Sequence, residues 1–297
     1  MELIRHAAAL GALTEAWRGD GGSVGLVPTM GSLHDGHASL LRRARGENDR
    51  VVVSIFVNPL QFGAAEDFER YPRDEERDLA VCRREGVDAV WAPAVEQMFP
   101  PGVALPSPDP GPLGGVFEGA ARPGHFAGVL KVVHRLVFVA GPCRAYFGQK
   151  DAQQLFLVRR MVAEEGLPVK VVACPTVREP DGLATSSRNA YLTREESEQA
   201  GCLFLALAEA AELARGGERD AHVLVAAMAR EIGATPLARL DYAAVVDDAT
   251  FEPLATLATP ARALVAAVFP SARLLDNLLL PEPGAVRHDG PSFRLES

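Results

Sequence analysis

The sequence predicts an α/β protein, with a parallel sheet covered by helices on both faces and a smaller α+β domain after it. Three observations carry this expectation. Apolar, strand-like runs alternate with helical stretches through residues 1–176. Those runs are nearly continuous rather than strictly alternating, VVVSIFV at 51–57 above all, which is the pattern of strands buried on both faces. After residue 176 the order changes to helices followed by strands.

Taken in order, residues 24–28 read as a short buried strand and 51–57 as the clearest one. Shorter strands are expected at 89–92 and 145–147, and another at 169–174, VKVVAC. Helical patterns fill 38–45, 74–85, 129–139 and 152–165. The Pro- and Gly-rich stretch 98–115 interrupts the alternation and reads as an irregular excursion. In the expected second domain, 177–297, Thr193 and Glu196 form a capping box ahead of an Ala- and Leu-rich helix toward Arg215. A helix at 221–232 and strands at 242–246 and 263–268 follow, and a Pro/Gly-rich tail from about 281 is expected to fray.

The chain has 297 residues, 48% hydrophobic and 23% charged, with a formal net charge of -9. That balance argues against a general nucleic-acid binder, and an acidic protein that binds a polyphosphate must concentrate positive charge locally. Residues 1–10 are interrupted by Glu2, Arg5 and His6, so they do not read as a targeting segment. No apolar run approaches the ~20 residues of a membrane span. Cys82, Cys143, Cys174 and Cys202 form no C-x-x-C pair and read as reduced and mostly buried, which suits a cytoplasmic location. Lys131, Lys150 and Lys170 are the lysines of an arginine-dominated chain. A surviving lysine there is weakly enriched for sites that need a compact ammonium.

In a sheet of this kind ligands bind beyond the carboxyl ends of the strands. Four segments with chemistry to offer fall there. In the first, 28–37, a strand end and a glycine turn lead into a helix N-terminus whose amides could bind phosphate. His34 and His37, three apart, share a face and offer ring N–H donors. A zinc pair is the competing reading, but no third and fourth ligands stand nearby. In the second, Asn58 and Gln61 supply neutral amides suited to a hydroxy acid, or else ordinary turn chemistry at Asn58-Pro59. In the third, Gly148-Gln149-Lys150-Asp151 again turns from strand to helix. There Lys150 could face a phosphate, Asp151 could cap the helix, and Gln154 follows one turn on. The fourth, Thr185-Ser186-Ser187-Arg188, gathers hydroxyls and a guanidinium that could clamp an oxyanion. The G-x-G-x-x-G spacing of a dinucleotide site is missing from 25–36.

Together these segments resemble the pantothenate synthetase family of the nucleotidyltransferase superfamily. The carrying stretches are PTMGSLHDGH (28–37), SIFVNPLQF (54–62), YPR (71–73), FEG (117–119), RPGHFAGV (122–129), YFGQKDAQQL (146–155), VREPDGLATSSRNAYL (177–192) and LDYAAVVD (240–247), within 24–277. The resemblance implies a Rossmann-like domain, a smaller C-terminal lid domain and a homodimer. It implies condensation of pantoate with β-alanine through a pantoyl adenylate, using ATP and releasing AMP and pyrophosphate. By matching position, ATP would be held by Met30, Gly31, Ser32, Leu33, His34, Asp35, Gly36 and His37. Gly148, Gln149, Lys150, Asp151, Val177, Thr185, Ser186, Ser187 and Arg188 would complete that site. Pantoate would meet Gln61, Gln154 and Asn58, and β-alanine Gln61. His37, the family's acid catalyst, would act with His34, Lys150 and Arg188. Mg²⁺ would be held mainly by phosphates, with no protein metal ligand set. Asp35, Gly124, Gln149 and Thr185 depart from the family pattern, and Gln149 and Thr185 stand where Glu and Met are usual. Nucleotidyl transfer to another acceptor is disfavoured by the Asn58, Gln61 and Gln154 amides. A nucleotide sensor is disfavoured by the retained His37 and Lys150, and an RNA-ligating synthetase by the charge of -9.

Overall fold

The computed structural model describes residues 1–63, 66–258 and 260–281. The tail expected to fray lies, after Pro281, outside the described residues. The chain divides into two compact units. The first comprises Met1–Glu179 and Ala184–Ala190; the second comprises Pro180–Leu183 and the described residues from Tyr191 onward. The sequence placed Thr185–Arg188 after a boundary at 176. The loop instead belongs to the first unit, where Arg178 bridges Ala184 and the Thr185 amide donates to the Val177 carbonyl at 2.9 Å.

The first unit runs β1 (Glu2–Ile4), α1 (Ala7–Gly19), β2 (Val24–Thr29), α2 (Asp35–Glu47), β3 (Arg50–Ile55), α3 (Glu75–Arg84), β4 (Ala89–Trp91) and α4 (Val95–Met98). It continues through α5 (Glu118–Ala121), α6 (His125–Ala140), β5 (Cys143–Gly148), α7 (Ala152–Glu164) and β6 (Val169–Cys174). The strands form one parallel sheet in the order β1-β4-β3-β2-β5-β6. Both faces are buried, and the pleat divides the apolar residues between them. Leu26, Val52 and Phe147 pack with Leu10 of α1, Leu130 and Val133 of α6, and Leu157 and Val158 of α7. Val27, Val51, Val53 and Tyr146 point the other way, onto Leu40 and Leu41 of α2 and Leu79 of α3. Each such side chain contributes roughly 1.5–3 kcal/mol by leaving water.

The sheet turns back between β2 and β5. From β2 the order grows through β3 and β4 on one side, and from β5 to β6 on the other. β2 pairs with β3 along its whole length but with β5 only at Gly25 and Leu26. Pro28, which has no N–H to give, falls on the stretch that β5 leaves unpaired. A crevice opens at the carboxyl ends of these two strands, and the 28–37 and 148–154 segments flank it.

In the second unit, α8 (Arg194–Ala200), α9 (Cys202–Arg215) and α10 (Ala221–Gly233) precede an antiparallel sheet of β7 (Arg239–Asp247), β8 (Ala261–Val268) and β9 (Arg273–Leu279). Leu203, Leu207, Leu224 and Met228 pack on Val245, Ala263 and Val265. The capping box forms as read: Thr193 Oγ1 accepts from the Glu196 amide, and Glu196 Oε2 accepts from the Thr193 amide. The single helix expected beyond it is two helices, divided at Gly201. β1, α1 and β9 were not anticipated, and α6 starts at His125 rather than 129.

Candidate active site

After β2 the backbone turns through Gly31 (φ 82°) and Ser32 (φ 52°), both in the left-handed region, before α2 begins. This turn brings the Ser32 and Leu33 amides together, which makes a concavity for an anion. The anion that fills it belongs to the protein. Asp78 of α3, 1% exposed, accepts from the Ser32 amide at 2.9 Å and the Leu33 amide at 2.7 Å. Burial pushes the Asp78 carboxyl above its ordinary value although both amides pull it down. The Gly31 amide donates to Thr29 Oγ1 at 3.2 Å. His34 caps α2: its Nδ1 accepts from the Gly36 amide at 3.2 Å, and the His34 amide donates to His37 Nδ1 at 3.4 Å. The expectation that this helix start offers open amides to phosphate is therefore corrected, since those of 31–34 and 36 already have partners.

The histidines supply donors in their place. Both Nδ1 atoms accept, so each neutral ring carries its proton on Nε2. The rings lie 4.1 Å apart between centroids. Burial, with Lys150 next in effect, lowers His34 to about 4, and burial with His34 lowers His37 to about 3. Both are therefore neutral N–H donors at pH 7.

The turn after β3 places Asn58 and Gln61. Asn58 is 1% exposed, and its side chain is committed within the protein. Its Nδ2 donates to Gln61 Oε1 and the Gly128 carbonyl, both at 3.1 Å, and its Oδ1 accepts from the Leu60 amide at 3.2 Å. Gln61 Nε2 lies 3.0 Å from Met30 Sδ. Asn58 thus orients Gln61, which presents the amide.

Beyond β5, Lys150 sits on a 3-10 turn, Gln149–Asp151, leading into α7. Asp151 makes no side-chain cap, against the simple turn reading; its carboxylate faces Lys150 Nζ at 3.6 Å. Thr185 Oγ1 donates to the Val177 carbonyl at 3.1 Å, a bond that a methionine there could not make. Ser187 Oγ meets Tyr71 Oη at 3.2 Å. Arg188 pairs with Asp67 through Nε at 3.2 Å and Nη2 at 3.0 Å.

These elements enclose a cleft of about 220 Å³. Met30, His34, Gly36, His37, Asn58, Gln61, Gly148, Lys150, Asp151, Gln154, Val177 and Thr185–Arg188 line it. Gly31, Ser32, Leu33, Asp35 and Gln149 do not: Leu33 is 2% exposed in the core beneath α2, and Asp35 faces solvent. Sequence reading missed the apolar wall of Val129, Val132, Val133 and Leu136 on α6, which Phe147 of β5 extends, because a helix face turned to a ligand has the same pattern as one turned to core. It missed Asp67 and Asp78 because isolated acids carry no local signal. Among the described residues no group of three or more His, Cys, Asp or Glu side chains could hold a metal ion, and Asp151 is the one carboxylate of the cleft wall. No described helix is long and apolar enough to cross a membrane.

A family profile described as pantoate–β-alanine ligase matches residues 2–279. Pantothenate synthetase of Rubrobacter xylanophilus is 53% identical over 286 residues, 94% of this chain and 98% of that protein. The crystal structure of pantothenate synthetase from Thermus thermophilus superposes with a TM-score of 0.88 at 49% identity, covering 95% of this chain and all of that one. The pantoate–β-alanine ligase of Francisella tularensis, solved with β,γ-ATP and β-alanine, is 31% identical with a TM-score of 0.76, covering 94% and 97%. With its parallel sheet, its crevice at the turn-back of strand order and a profile match over nearly its whole length, the chain belongs to the pantoate–β-alanine ligase family.

Proposed function

We propose that the chain joins pantoate to β-alanine at the expense of ATP, through a pantoyl adenylate, releasing pyrophosphate and then AMP. One observation carries the assignment of roles: phosphate-type donors and neutral amides line the same cleft. His34, His37, Lys150 and Arg188 provide the first set, and Gln61 and Gln154 the second. The pantoate carboxylate attacks the α-phosphorus, and charge spreads over oxygens that face the two Nε2–H groups, the ammonium and the guanidinium. Donors fixed before the reaction stabilise that charge without reorganising. The amine of β-alanine then attacks the acyl carbon, and AMP leaves. Gln61, held from both ends, orients the acid, and the wall from Val129 to Leu136 keeps water from the adenylate. Cationic and N–H donors suit phosphate rather than a bare cation. Mg²⁺ would therefore be held mainly by the phosphates, with Asp151 the carboxylate of the cleft wall available to it, and when bound would screen phosphate charge. A homodimer, a cytoplasmic location and a lid role for the second unit accompany this reading.

Isotope exchange between pyrophosphate and ATP tests the two-step scheme. Exchange should proceed with pantoate present and β-alanine absent. If it requires β-alanine, the separate adenylate is wrong.

A further inference from the structure

Three charged or polar side chains packed behind Gln61 have no part in the reaction described above. Glu66, Arg122 and His125 form a chain that ends on the main chain of that glutamine. His125, at the start of α6, is 7% exposed. Its Nε2 is 2.9 Å from Arg122 Nη1 and its Nδ1 is 2.9 Å from the Gln61 carbonyl oxygen. A guanidinium only donates, so Nε2 must accept, and the ring proton must sit on Nδ1 and point at Gln61. Burial, then Arg122, lowers His125 to about 4, which keeps this single tautomer in place at neutral pH. Arg122 Nη2 also donates to the Gln61 carbonyl, at 3.3 Å. Arg122 is fixed from behind by Glu66, whose Oε2 accepts from Nη2 at 2.5 Å while Nε reaches both carboxylate oxygens at 3.1 Å. One turn along α6, a Cβ at Gly128 would stand 2.1 Å from the Leu60 carbonyl oxygen, so the helix lies directly against the turn that carries Gln61.

We infer that Arg122 and His125, braced by Glu66, are positioning residues that set where the Gln61 amide stands and thereby select the acid substrate. The inference rests on the reading of Gln61 as a pantoate contact. The carbonyl held by these two donors and the side-chain oxygen held by Asn58 fix the residue at both ends. Releasing the carbonyl lets the turn rotate and moves the amide relative to the acid, while His34, His37 and Lys150 stand on other loops and keep their places.

Pyrophosphate–ATP exchange and full-turnover kinetics on Gln61→Ala, His125→Ala, His125→Asn, Arg122→Ala and Arg122→Lys separate the claims. His125→Ala and Arg122→Ala should raise the KM for pantoate on the order of 10-fold, and that for ATP less than about 2-fold, because an unaligned contact loses most of its value. His125→Asn keeps an N–H where Nδ1–H stands and should recover most of the loss, which a simple defect in packing would not allow. Equal rises for pantoate and ATP, or no difference between His125→Asn and His125→Ala, would overturn the positioning role. If Gln61→Ala raises the pantoate KM and both Arg122→Ala and His125→Ala leave it unchanged, the inference fails while the site stands. If Gln61→Ala itself spares pantoate, the reading of the site fails first.

Discussion

At His34 and His37 the nitrogen that caps the helix and the nitrogen that meets the cleft are different atoms of one ring. The backbone amides at the start of α2 are satisfied by Nδ1 atoms and by Asp78, and the Nε2–H groups carry the donor function outward. A neutral donor is less costly to bury than a charged one, which leaves Lys150 as the compact charge among them. Lys150→Ala should lower adenylate formation by about 10²–10³-fold, the usual size for removing a preorganised donor to a transition state. ATP binding should fall much less, because the histidines remain. Lys131, which lies 6.0 Å over the Phe99 ring, and Lys170, exposed on β6, serve as controls that should keep most of the rate. Single-turnover kinetics would show it, and a near-wild-type rate for folded Lys150→Ala would remove the residue from the mechanism. The sequence put these residues just past strand ends, and the structure brings them to one cleft. What the sequence did not reveal is which of their atoms were already engaged, since that depends on Asp78 and on ring orientation.

At the level of elements, α3 holds the loop between β2 and α2 through one carboxylate. Asp78→Asn keeps the shape but turns an NH₂ group toward one of two buried amides. It should destabilise the fold by roughly 1–3 kcal/mol, the range for a buried polar group left without its partner. Urea melts should show a lower midpoint at unchanged slope, and exchange activity should fall with it. Wild-type values of both would mean that the turn holds itself. The long elements were legible for the same reason that they are stable. VVVSIFV buries both faces, and the Thr193–Glu196 capping box satisfies helix-end amides with neighbours in sequence. β1 was not, since three residues with only Ile4 buried carry no period. Nor was the break at Gly201, which adopts ordinary right-handed dihedrals and whose Cβ position lies 3.0 Å from the Asp181 carbonyl, a contact distant in sequence.

For the molecule as a whole, three histidines, His125 buried and His34 and His37 half-buried against the cleft, link folding to pH. His34, His37 and His125 have folded values of about 4, 3 and 4, against an ordinary value of 6.5. Their folded pKa values are depressed, so their contribution is fully present above pH 6.5. It is lost as pH falls from there toward 4 and 3, where the unfolded chain takes up protons that the folded one refuses. Urea midpoints should therefore already drop between pH 6.5 and 5, above the range where most carboxylates titrate, and a His34→Asn/His37→Asn chain should drop less. A flat midpoint over that interval would contradict rings that stay neutral in the folded protein. The pairing of Arg188 with Asp67 has a different consequence. In the proposed site this guanidinium is never bare, so an arriving triphosphate trades places with a resident carboxylate instead of meeting an isolated charge. The measured affinity is then a difference between two ionic partners. Added salt weakens both sides of that exchange, and ATP binding should respond to ionic strength less steeply than a count of the positive groups in the cleft implies.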